Sequence, residues 1–107
     1  MARKEFETLT PQMYYILLVL LKPRHGYEIM NEIARLTDNN IKVGAGTLYT
    51  LLPRFESEGY ILLKTIVDRK KIYQITDIGR KKLRIETEKL SRMLSDYQEV
   101  IKDEKEI

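Results

Sequence analysis

The chain has 107 residues, with 19 Lys+Arg against 16 Asp+Glu for a formal charge of +3, one histidine and no cysteine. That length makes one small domain with a modest core, near the size at which association helps, so an oligomer is expected. The absence of cysteine excludes disulfides, thiol redox chemistry and thiolate zinc sites and suits a reducing compartment, and a single histidine leaves metal sites poorly supplied. No cofactor or metal is therefore expected. The opening Met1-Ala2-Arg3-Lys4-Glu5 leads into charge, so no secretory segment is expected either. The longest apolar run, residues 13–21, falls short of the about 20 residues that span a bilayer, and the expectation is a cytoplasmic protein with no membrane partner.

The positive charge is unevenly spread. Residues 69–84 hold Arg69, Lys70, Lys71, Arg80, Lys81, Lys82 and Arg84 against only Asp77, whereas residues 93–107 are net acidic. A basic segment of that kind is either a solvated face or the footprint of a polyanion.

In chain order, Thr10-Pro11 opens a first helix, with Thr as N-cap and Pro at the first helical position. The helix is expected to run from Met13 through Leu21 and to halt before Pro23. Its apolar residues go all the way round, which predicts cover on two sides, from its own domain and from a second subunit. A second helix begins near His25-Gly26-Tyr27 and sets Ile29, Met30, Ile33 and Leu36 at core-facing spacing. The polar cluster Thr37-Asp38-Asn39-Asn40 ends it. Ile41-Lys42-Val43 has room for one short edge strand at most.

The third helix carries the organising pattern. Leu48, Leu51, Leu52 and Phe55 fall at i, i+3, i+4 and i+7, one buried stripe of a helix. Ala45, Gly46, Thr47, Tyr49 and Thr50 leave the start of that helix small and hydrogen-bonding, so it can approach a surface such as a DNA groove. Its free N–H groups and positive dipole end favour anions. Gly59 stops the helix. Two strands follow, Tyr60 to Val67 and Lys71 to Thr76, around a cationic tip at Asp68-Arg69-Lys70. Pro53, inside the third helix, predicts a kink.

Thr76-Asp77 caps a long final helix in which Leu83, Leu90 and Tyr97 recur every seven residues. Met93, Leu94, Val100 and Ile101 widen this seam. The fold expected is mainly α with a small antiparallel β wing: a winged helix-turn-helix DNA-binding domain over residues 1–76 and a C-terminal dimerisation helix over 77–107. The dimerisation residues are Leu83, Leu90, Met93, Leu94, Tyr97, Val100 and Ile101.

The segments His25-Gly26-Tyr27-Glu28-Ile29, Gly46-Thr47-Leu48-Tyr49, Arg54-Phe55-Glu56-Ser57-Glu58-Gly59-Tyr60-Ile61 and Tyr73-Gln74-Ile75-Thr76-Asp77-Ile78-Gly79 together resemble the PadR family of bacterial transcriptional regulators. The resemblance runs from about Leu9 to the last helix. It implies a homodimeric winged-helix repressor that binds double-stranded DNA at an inverted-repeat operator and, in some members, is released by a small aromatic or phenolic effector. The single C-terminal helix is similar to the short branch of the family, paired through that helix and the first. Two departures stand out. Thr50 follows the tyrosine of Gly-Thr-Leu-Tyr where the family often has proline, and the chain lacks the tryptophan on which some members stack flat ligands.

The expected DNA-binding residues are Thr47, Tyr49 and Thr50 at the major groove, Lys42 and Arg54 near phosphates, and Arg69, Lys70 and Lys71 in the wing. His25 is either a helix cap or a phosphate contact. Tyr14, Tyr15, Leu18, Leu90, Met93 and Tyr97 either line an effector pocket at the dimer interface or are simply core. The alternative to a DNA-binding regulator is a winged-helix protein-interaction module that never touches nucleic acid. An enzyme is not expected, because Ser57, Ser91 and Ser95 have one histidine among them to act as base and no glycine-rich phosphate loop is present.

Overall fold

The computed structural model describes residues 8–104; the opening Met1 to Glu5 and the last acidic residue, Glu106, lie outside the described residues. The element order is α1 (Pro11–Val19), α2 (Gly26–Leu36), α3 (Ala45–Ser57), β1 (Ile61–Val67), β2 (Lys70–Ile75) and α4 (Asp77–Lys102).

Helix α1 starts as its sequence dictates. Pro11 occupies the first turn and the Met13 N–H donates to the Thr10 hydroxyl at 3.2 Å. It ends two residues before the expected Leu21, because the Leu20 carbonyl leaves the helical pattern to accept the Ile75 N–H of β2 at 2.8 Å. Ile16, Leu17 and Leu20 are fully buried, while Tyr14, Tyr15 and Leu18 on the other side are half-buried. Part of that second face is covered by the chain's own α4, where the Tyr14 hydroxyl meets that of Thr87 at 2.7 Å.

Helix α2 buries Ile29 and Ile33, but Leu36, expected in the core, is 46% exposed at the final residue of the helix. The connection to α3 is built by polar side chains. The Thr37 hydroxyl donates to the Ile33 carbonyl and accepts the Ile41 N–H, and Asp38 and Asn39 take positive φ values, which these short polar residues tolerate. No strand forms at Ile41-Lys42-Val43. The segment finds no β partner; Val43 is buried and the Lys42 carbonyl accepts from the Gln12 side chain instead.

Helix α3 buries the stripe read from the sequence, Leu48, Leu51, Leu52 and Phe55. The kink expected at Pro53 does not interrupt it. The exposed ring sits within an unbroken helix, and only the Tyr49 carbonyl forgoes its usual donor. Gly59, at φ +81°, turns the chain out of the helix. The strands β1 and β2 pair antiparallel with Ile61 opposite Ile75, and a bulge falls between Leu63 and Thr65. The wing turn is Asp68-Arg69, both at positive φ, so Lys70 lies in the strand opposite Val67 and not at the tip. The outer edge of β2 is closed by the α1–α2 connection, through paired bonds between Arg24 and Tyr73 at 3.0 and 2.8 Å.

Helix α4 is capped by the Thr76 hydroxyl, which accepts the Gly79 N–H at 3.0 Å. A Cβ at Gly79 would overlap the Tyr60 carbonyl, so this glycine lets the first turn of α4 lie directly on the root of the wing. Leu83 completes the core. This corrects its assignment to dimerisation: the chain's own body already covers it. Beyond Glu86 the helix leaves the body. Leu90, Met93, Leu94, Tyr97 and Val100 are all exposed, and the molecule stretches to 57 × 39 × 21 Å.

Candidate nucleic-acid interface

The outward face of α3 carries the residues picked from the sequence. Ala45, Gly46, Thr47, Tyr49, Thr50 and Arg54 are exposed, and Lys42 is exposed in the segment that leads into the helix. The N-cap of α3 is Gly44, which offers no side chain to the first-turn N–H groups. A Cβ at Gly46 would meet nothing within 4 Å, so no neighbour in the fold demands glycine there. The Thr50 hydroxyl donates to the Gly46 carbonyl at 2.9 Å and is occupied within its own helix. Thr47 therefore presents the less committed hydroxyl of the two.

Tyr49 bends away from this end of the helix. Its hydroxyl lies where a Cβ on Gly26 would sit, so a side chain at Gly26 would displace it. The Tyr49 ring thereby joins a cleft of about 500 Å³ between the start of α2, the flank of α3 and the wing. Arg69, Lys70 and Lys71 line its far side, and Tyr27, 66% exposed, stands at its rim. Three cations face two exposed tyrosines across one cleft, an arrangement that suits a phosphate-bearing chain. Tyr73, also in the wall, has its hydroxyl pKa raised by burial, and the Glu56 charge and Tyr49 push the same way.

His25 takes the capping role. Its Nδ1 accepts the Glu28 N–H at 3.4 Å while the Glu28 carboxylate accepts the His25 N–H at 3.0 Å. This reciprocal box orients the first turn of α2 beside the cleft. Gly26 and Tyr27 were not among the expected site residues, although the His25-Gly26-Tyr27 motif was the signal that could have found them. What the sequence could not reveal was that this turn lies against Tyr49. Thr47, Thr50, Lys42 and Arg54 lie outside the cleft, along α3 and its approach.

A second, larger groove of about 880 Å³ opens on another part of the surface, between the start of α1 and the middle of α4. Tyr14, Tyr15, Leu90 and Met93 line it, as expected of an effector pocket, but Leu18 and Tyr97 do not. Leu18 packs at the core edge one turn further along α1, and Tyr97 is one turn beyond Met93 and exposed. The groove also holds Glu86, which the sequence reading passed over because a glutamate amid Lys82 and Lys89 looks like an ordinary surface residue.

Among the described residues no group of His, Asp and Glu could hold a metal ion, and no helix is long and apolar enough to cross a membrane. Three helices, a two-stranded antiparallel ribbon and a long C-terminal helix define a winged helix-turn-helix protein. The model of the PadR-like family of transcriptional regulators matches residues 16–85, and the chain belongs to that family. That family is one of transcriptional regulators. Two solved structures resemble it closely. One is a transcriptional regulator from Clostridium thermocellum (28% identity, TM-score 0.72, covering 80% of this chain and 88% of that one). The other is a PadR family transcriptional regulator from Eggerthella lenta (26% identity, TM-score 0.69, covering 82% and 79%). A protein of Lysinibacillus sphaericus described as uncharacterized is 36% identical over 67 residues, which are 59% of this chain and 62% of that protein. The chain thus spans less than two thirds of the length of that relative.

Proposed function

We propose that the chain is a homodimeric repressor that reads an inverted-repeat operator with the N-terminal half of α3 and grips the adjoining phosphates with its wing. The observation that carries this reading is the cleft in which Arg69, Lys70 and Lys71 face Tyr49 beside the exposed start of α3. In this reading Thr47 meets base edges, Thr50 can do so as an acceptor while its proton stays on the Gly46 carbonyl, Lys42 and Arg54 flank the backbone, and Tyr49 contacts phosphate. Two-fold symmetry puts the half-sites about one helical turn apart.

Residues up to 76 form the DNA-binding part and the helix from 77 onward the pairing part, with the difference that Leu83 and Glu86 serve the body and pairing is left to Leu90, Met93, Leu94, Tyr97, Val100 and Ile101. The exposed stripe on α4 supports this division. A small aromatic or phenolic molecule held by Tyr14, Tyr15, Leu90 and Met93 releases the operator, and the regulator acts in the cytoplasm.

The test is a footprint of the purified protein on DNA upstream of its own gene, repeated with phenolic and cationic compounds. A protected inverted repeat that is lost on adding a compound supports the whole reading. Protection that no compound relieves removes the effector, and no protection at any salt concentration removes the operator reading. Replacing Lys70 and Lys71 together by alanine is expected to lower the slope of log affinity against log salt by about 2, one per phosphate contact. An unchanged slope overturns the wing assignment.

A further inference from the structure

Glu86 is 4% exposed, the only buried charged residue among the described ones. Both of its oxygens are engaged. Oε1 accepts from the Thr8 hydroxyl and the Leu9 N–H, each at 3.0 Å, and Oε2 faces the ammonium groups of Lys89 at 3.0 Å and Lys82 at 3.4 Å. The donors to Oε1 come from the segment entering α1, 77 and 78 residues away in sequence, so one carboxylate joins the head of α1 to the middle of α4. A neighbouring link runs the same way. The Thr87 hydroxyl spends its proton on the Leu83 carbonyl, which leaves the Tyr14 hydroxyl as donor to Thr87.

Burying a charged group is a poor way to gain stability, because the desolvation penalty offsets much of the attraction. What such a group does supply is direction. Beside these polar links, the apolar side chains Leu9, Tyr15, Ile85, Leu90 and Met93 line the open groove, and apolar contact between two helices by itself permits sliding and tilting at little cost. Lys82 and Lys89, on α4 with Glu86, hold the carboxylate in place along that helix, and its two donors from the segment entering α1 then tie the head of α1 to that point. The position is also mechanically apt. Glu86 lies at the point where α4 leaves the body, and the described residues beyond it are exposed except the half-buried Ile101.

We propose that Glu86 is a positioning residue that sets the angle between the winged-helix body and the free half of α4. Its consequence for DNA, a fixed separation of two wings, rests on the dimeric repressor reading above; the angle itself does not.

The chain lacks cysteine, so two spin labels can be placed cleanly at exposed positions, Asn31→Cys on α2 and Ser95→Cys on α4. Labelled chain is diluted into unlabelled chain so that only intrachain pairs are read. With Glu86 intact, the expected result is a single narrow distance distribution. Glu86→Ala is expected to at least double its width, whereas Glu86→Gln, which keeps an acceptor for Thr8 and Leu9, restores the narrow centre. If Glu86→Ala does not fold, Thr8→Val removes one donor from the same joint and is expected to broaden the distribution to a lesser degree. A folded Glu86→Ala with an unchanged distribution overturns the proposal, as does an unchanged distribution in Thr8→Val when the alanine variant is unfolded. A companion measurement uses operator DNA whose half-sites are moved apart by one and two base pairs. The unmodified protein is expected to lose affinity steeply and Glu86→Ala to lose it several-fold less. Failure of the unmodified protein to bind any such DNA counts against the repressor reading and leaves the label distances to decide the role of Glu86.

Discussion

Gly46 and Arg69 each sit where the folded chain alone would choose another residue. Gly46 lies inside α3 at ordinary helical φ with open space around it, so replacing it by alanine should stabilise the protein by up to about 1 kcal/mol through helix propensity. If the start of α3 lies close against DNA, the added methyl group obstructs that approach. Gly46→Ala is therefore expected to raise the thermal midpoint and lower operator affinity, measured by calorimetry and mobility shift. A variant that binds as tightly as the original removes the close approach. Arg69 holds φ +67° at the wing tip, a conformation that costs a non-glycine residue about 1 kcal/mol or somewhat more. Arg69→Gly is expected to relieve that strain and still weaken DNA binding, with a shallower salt dependence. In both cases stability and binding move in opposite directions, which a merely structural role would not produce.

At the scale of elements, helices α2 and α4 were legible because their starts are written locally. The His25–Glu28 pair at α2 and the Thr76 hydroxyl at α4 satisfy N–H groups at the helix starts with side chains three residues away. The end of α1 was not legible, since it depends on Ile75, a residue 55 positions further on. Whether residues 41–43, with room for one short edge strand at most, would form it was open for the same reason: strand formation needs a partner, and partnering is not a local property. Helix α4 is read most simply as two halves, the first packed on the body through Gly79 and Leu83, the second with Leu90, Met93, Leu94, Tyr97 and Val100 exposed. Placing a charge in the second half, as Leu90→Arg or Tyr97→Asp, should dissociate the proposed dimer without unfolding the body. Sedimentation at micromolar concentration is expected to show single chains with far-ultraviolet dichroism largely retained. Dimers that persist in both variants would remove α4 from the interface.

The whole molecule is a body and an arm joined near Glu86, and its acid stability follows from that joint. Burial pushes the Glu86 carboxyl up, but the Leu9 N–H, Lys89, the Thr8 hydroxyl and Lys82 together outweigh it and hold its pKa at about 2. A depressed carboxylate pKa contributes stability that is fully present above its unfolded value near 4.5 and is lost as pH falls through the folded value near 2. Unfolding measured between those limits should show a loss on the order of 2 kcal/mol that Glu86→Gln does not show. Equal acid sensitivity in both proteins would mean that other carboxylates govern the transition.

Periodicity along the chain was sufficient to identify the helices, the buried stripe of α3 and the wing with its cationic residues, because each of these follows from residues within a turn or a hairpin of one another. The tertiary structure alone decided that Tyr49 rests on Gly26, that Leu83 belongs to the core, that Leu18 and Tyr97 stand apart from the groove, and that Glu86 is buried. Those outcomes depend on which surfaces meet across distant parts of the chain. Burial is a property of the neighbour as much as of the residue, so a glutamate between two lysines reads the same in sequence whether it faces water or the head of α1.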